Sequence, residues 1–117
     1  MFKLIILIQP EIDQEAFFEG WPEFLEQAEQ MPGLARVVSS PVHTALAGEY
    51  RPLAVHELLF DNQPALEKAL ASEHGVAAGK VLQKITGGAV SLMTAVHMEE
   101  SGESLRRYRT YSSPKGK

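Results

Sequence analysis

The chain is 117 residues long, 44% hydrophobic and 22% charged, a size and balance that fit one folded domain and leave little room for a second. It has no cysteine, which excludes disulfides, thiolate metal sites and a cysteine nucleophile, and its formal charge of -4 argues against broad binding to phosphate backbones. No apolar run approaches the roughly 20 residues that cross a bilayer, and the opening FKLIILI is too short for that and lacks a signal-peptide cleavage site. The expectation is a soluble cytoplasmic protein with neither nucleic acid nor membrane as a partner.

Phe2 to Gln9 is rich in branched aliphatics and is closed by Pro10, as a strand would be. Alternation puts Phe2, Leu4, Ile6 and Ile8 on one face and Lys3, Ile5, Leu7 and Gln9 on the other, so both faces are apolar at the centre. Helices cover one face; the second needs another cover, for which a second subunit is a candidate. Asp13 is placed to cap a helix whose buried stripe is Phe17, Trp21, Phe24, Leu25 and Ala28, with Pro22 predicting a kink or a restart. Met31-Pro32-Gly33 ends that helix. A more polar strand follows from Leu34 to Val42, with Arg36, Val38 and Ser40 on one side and Ala35, Val37 and Ser39 on the other.

After a turn-rich loop, Leu53 to Phe60 reads as a third strand, and Asp61-Asn62-Gln63-Pro64 as a helix start with Ala65, Leu66, Ala69 and Leu70 as its stripe. Gly75 is expected to stop or break this helix. A further helical stretch carries Val81, Leu82 and Ile85, and Gly87-Gly88 leads into a last strand from Ala89 to Met98. The order is βαβ twice, which predicts an α+β, ferredoxin-like βαββαβ fold with a four-stranded antiparallel sheet and helices on one face. Residues 1 to 98 form the expected domain. Residues 99 to 117 are an extension whose extreme end is expected to be disordered, while Leu105 to Tyr111 fits a solvated tail, an added edge strand or an arm onto a partner.

The common catalytic signatures fail one by one. GVAAGKV has only three residues between its glycines and Val81 where a phosphate loop needs a hydroxyl; there is no GxSxG, no dinucleotide fingerprint and no close spacing among His43, His56, His74 and His97. No metal site is expected. What remains is polar groups on strands. His56 and Glu57 are adjacent, so one faces the helices and the other the opposite face, and each is a candidate acid or base or a member of a structural ion pair with Arg36, Lys3 or a partner. On the last strand Val90, Leu92, Thr94, Val96 and Met98 form the helix-facing side, which turns Ser91, Met93, Ala95 and His97 the other way, beside Ile5 and Leu7. That face fits a greasy small-molecule pocket and a dry dimer core equally well. Phe17 and Trp21, on the helix stripe, are read as core.

The MFKLIILI start, the FFEGW helix, the MPGLARVV turn into a strand, the HELLFDNQPALEKALAS passage and the last apolar strand together resemble the EthD-like family, named for ethyl tert-butyl ether degradation, among the dimeric α+β barrels. The resemblance spans residues 1 to 98. It implies that two sheets join across a homodimer into a barrel, and it implies an oxidoreductase label without a bound organic cofactor; related barrels include monooxygenases, isomerases and haem-handling proteins. Glu57 matches the family's glutamate and is thereby implied to face the barrel, with His56 under the helices. The histidine that the family places in the first helix is not matched, because Phe24, Leu25 and Glu26 stand in that region.

The resulting expectation is a homodimer that binds a small, largely apolar organic molecule in the barrel, with a cofactor-independent oxidation or rearrangement as the reaction. Glu57 is the candidate catalytic residue. Arg36 and His97 are candidate anion or carbonyl partners, and Ile5, Leu7, Ser91 and Met93 the candidate wall. The competing reading is a non-catalytic ligand-binding or structural dimer with a packed barrel. Haem would require His56 or His97 as an axial ligand, and no cofactor is expected.

Overall fold

The computed structural model describes residues 1–99 and 102. The segment 105–111, expected to be a solvated tail, an added edge strand or an arm, therefore lies outside the described residues. Seven elements follow in the order β1 (Phe2–Ile8), α1 (Gln14–Glu29), β2 (Leu34–Pro41), β3 (Ala54–Phe60), α2 (Gln63–Ala71), α3 (Glu73–Thr86) and β4 (Val90–Val96). The strands form one sheet in the order β2-β3-β1-β4 with every neighbouring pair antiparallel. This is the ferredoxin-like βαββαβ arrangement, with the second helical segment in two pieces. The first three strands are each one residue shorter than their sequence patterns suggested, and β4 is three residues shorter.

Side-chain alternation then decides which residues enter the core. Leu4, Ile6 and Ile8 of β1 and His56, Leu58 and Phe60 of β3 point toward the helices and are buried. They meet Phe17, Phe24 and Ala28 of α1, Leu66 and Ala69 of α2, and Ala78, Leu82 and Ile85 of α3 in one apolar cluster. The helix starts are set by capping oxygens. Asp13 accepts from the backbone N–H of Glu15 and Ala16, and Asn62 accepts from that of Ala65 at 2.9 Å, with Pro64 in the first turn of α2.

Three local features depart from the sequence expectations. The first is Pro22, which does not restart the helix, the second of the two expected alternatives: α1 runs from Gln14 to Glu29 with the proline inside it, in an exposed position. The second is Gly75, expected to stop a helix, which lies in the first turn of α3. The break falls instead at Ser72, whose hydroxyl donates to the Ala69 carbonyl at 2.6 Å and accepts from the Gly75 N–H at 3.0 Å, so one residue closes α2 and caps α3. A side chain at position 75 would strike the carbonyls of Ala69 and Leu70, which explains the glycine by close approach and not by helix termination. The third is a bulge in β2 between Leu34 and Arg36. It returns Leu34 to the core side while Arg36, paired with Leu59, stays on the opposite face.

Candidate binding site

On the face of the sheet away from the helices, the register brings the sequence-selected residues into neighbouring rows. Ile5 of β1 lies between Glu57 of β3 and Met93 of β4, and Leu7 lies between Val55 and Ser91. Two polar pairs cross this otherwise apolar surface. Lys3 Nζ donates to Glu57 Oε1 at 2.7 Å, and Gln9 Nε2 donates to Ser91 Oγ at 2.8 Å. Glu57 thus sits on this side, as the family resemblance implied, with Lys3 as its partner on the same chain. Arg36 and His97 do not join it. They converge on one oxygen of Glu99, Arg36 Nη2 at 3.1 Å and His97 Nε2 at 2.6 Å. The His97 hydrogen bond, and after it the Arg36 one, hold the Glu99 carboxyl below its ordinary range. His97 Nδ1 is buried without a partner among the described residues. Among the described residues no group of three or more side chains is placed to hold a metal ion.

Among the described residues, a cleft lies on the other side of the sheet. Between α1 and the β2–β3 edge is a cleft of about 340 Å³ whose walls include Phe17, Phe18, Trp21, Val42 and Ala54, with Ser39 and His56 as its polar side chains. The geometry follows from the elements. Phe17, Trp21 and Phe24 recur at helical spacing and stack along α1, with ring centroids 5.1 Å apart for Phe17 and Trp21 and 4.8 Å for Trp21 and Phe24. Trp21 then lies on His56 at 4.3 Å, while Phe18, 61% exposed, stands at the mouth.

His56 is only 6% exposed, yet its Nδ1 is 2.9 Å from Ser39 Oγ, directly across the β2–β3 pair. Desolvation lowers its pKa below the ordinary imidazole value, which makes the neutral ring the resident form at neutral pH. Its Nε2 makes no hydrogen bond among the described residues, and the His56 ring is part of the cleft wall. The family resemblance implied a histidine under the helices but not its partner. Strand parity separated Ser39 from Arg36, Val38 and Ser40 without saying which side faces the helices, and the register is what places Ser39 opposite His56.

Comparison with solved structures adds a family likeness to this geometry. An ethyl tert-butyl ether degradation (EthD) family protein from Bacillus halodurans C-125 aligns with a TM-score of 0.75 and 27% identity, over 84% of this chain and 99% of that one. The chain thus resembles an EthD family protein over most of its length. A dimeric ferredoxin-like protein of unknown function from Jannaschia sp. CCS1 shares the fold with a TM-score of 0.63 and 15% identity, over 82% of this chain and 98% of that one. So does SnoaB, a cofactor-independent oxygenase from Streptomyces nogalater, at a TM-score of 0.63 and 10% identity, over 86% of this chain and 96% of that one. No protein-family model matches this chain, and no curated protein does. Among the described residues no helix is long and apolar enough to cross a membrane.

Proposed function

We propose that this EthD-like protein is a homodimer that binds a small, largely apolar organic molecule in the cleft between α1 and the β2–β3 edge. The observation that carries the reading is the cleft itself: its volume lies at the small end of ligand-pocket sizes, and it is walled by aromatic and aliphatic side chains around one buried imidazole. The dimer is supported by the apolar row of Ile5, Leu7 and Met93 on the open face of the sheet, which a second copy would cover to form a barrel, and by the dimeric state named for the Jannaschia protein. Cofactor-independent oxidation or rearrangement is the reaction class we attach to it, on the family likeness and on the activity named for SnoaB.

Equilibrium dialysis against naphthalene tests the cleft. Saturable binding that is lost in Ala54→Leu, a variant that fills the space from the sheet side, is the expected result. Binding that is absent, or that Ala54→Leu leaves unchanged, sinks the reading. A second ligand space, inside the barrel, is favoured by the Lys3–Glu57 and Gln9–Ser91 pairs, which would give an apolar chamber two polar handles and Glu57 the role of orienting acceptor or base. In that case Glu57→Gln, and not Ala54→Leu, would impair binding.

A further inference from the structure

We infer that the ligand of the cleft is a planar aromatic molecule bearing a single hydroxyl group, and that His56 Nε2 is the anchor for that hydroxyl. The inference rests on the cleft reading above and adds the ligand's chemistry. Phe17, Phe18 and Trp21 contribute aromatic surface to the cleft, and a flat ring buries its area against such faces at little conformational cost. An apolar wall by itself would prefer a ligand with no polar atom, because a hydroxyl moved out of water without a partner is penalised. His56 reverses that preference. Ser39 occupies Nδ1 and the ring lies against Trp21, which leaves Nε2 as the imidazole nitrogen without a hydrogen bond among the described residues, on a ring that lines the cleft.

A hydroxyl suits this position better than a carbonyl or an ammonium. Ser39 Oγ can either donate to Nδ1 or accept from it, so Nε2 carries a proton in one arrangement and a lone pair in the other. A hydroxyl both donates and accepts and therefore matches each arrangement, whereas a carbonyl matches one. A cationic ligand would meet no carboxylate, since no side chain lining the cleft is acidic. His56 is thus a specificity-determining residue, and Ser39 a positioning residue that acts through it.

The test compares 2-naphthol with naphthalene by equilibrium dialysis on the full chain at neutral pH. The native protein is expected to favour 2-naphthol by roughly threefold to tenfold, the ordinary return from one hydrogen bond. In His56→Phe, which keeps an aromatic ring under Trp21, the order should reverse in favour of naphthalene. Equal affinities in the native protein, or a preference for 2-naphthol that survives in His56→Phe, would overturn the inference and leave the cleft reading standing. Failure of naphthalene to bind at all removes the cleft reading, and this inference with it. Because His56→Phe could fail to fold, the imidazole nitrogen resonances of the native protein give an independent readout: 2-naphthol should move those of His56 and naphthalene should not, and the absence of that difference also overturns it.

Discussion

Burying an imidazole beside Trp21 makes its charged form the costly one, and the sign of the consequence for stability is fixed. His56 binds its proton less readily in the folded chain than in the unfolded chain, where the ordinary value of about 6.5 applies. Between the lowered native pKa and that value the unfolded chain holds more protons, so stability rises with pH across the window. It is fully present above about pH 6.5, falls as the pH drops through the window, and levels off below the native pKa. Urea unfolding of the native protein and His56→Phe over this range should show the difference between them shifting in favour of the variant on acidification; a constant difference would contradict the burial of a neutral ring. Ser39→Ala should cost about 1 kcal/mol through the Nδ1 hydrogen bond. The sequence showed that His56 and Glu57 take opposite faces, and only the family resemblance implied that His56 is the one under the helices. Neither showed the cleft. Phe17 and Trp21 have the spacing of core residues and are core residues, and an empty volume beside them depends on what fails to fill it, which no periodicity records.

At the level of elements, three glycines that look alike in the sequence differ in what surrounds them, and only two of them are required. Gly20 of α1 faces Ile85 of α3 so closely that a Cβ would lie 2.2 Å from the Ile85 Cγ2, and Gly75 faces the carbonyls at the end of α2, while Gly79 of α3 has nothing within 4 Å of such an atom. Gly79→Ala should therefore stabilise the protein by about 0.5–1 kcal/mol through helix propensity. Gly20→Ala should destabilise it by about 1–3 kcal/mol, because Ile85 is β-branched and its methyl cannot swing away from the helix interface. Gly75→Ala should be the worst of the three, since its clash is with backbone. Thermal or urea unfolding of the set checks the order, and equal effects would contradict the packing. The strands and helix starts were readable because period, caps and prolines are local signals. The Ser72 junction and the β2 bulge were not, because each is decided by what the chain meets across space: the carbonyl of Ala69 in one case, the pairing of Leu34 with Phe60 and Arg36 with Leu59 in the other.

At the scale of the whole molecule, the unresolved energetic question is the open face of the sheet. β1 is apolar on both sides, and the helices account for Leu4, Ile6 and Ile8 but leave Ile5, Leu7 and Met93 on the far side, where the Lys3–Glu57 and Gln9–Ser91 pairs lie among them. In the dimer proposed above this surface becomes an interface, so its contribution to stability must depend on concentration. Met93 isolates the effect. It is 44% exposed in the single chain, and Met93→Glu therefore places a charge that the isolated domain tolerates in water but that a paired sheet would have to bury. Sedimentation at micromolar concentration should give the native protein twice the mass of one chain and Met93→Glu the mass of one, with helical circular dichroism retained. The melting temperature should rise with concentration for the native protein and stay flat for the variant. A native monomer whose melting temperature ignores concentration would show that this face is stable in water as it stands, and the barrel would lose its physical basis while the cleft on the helix side kept its own.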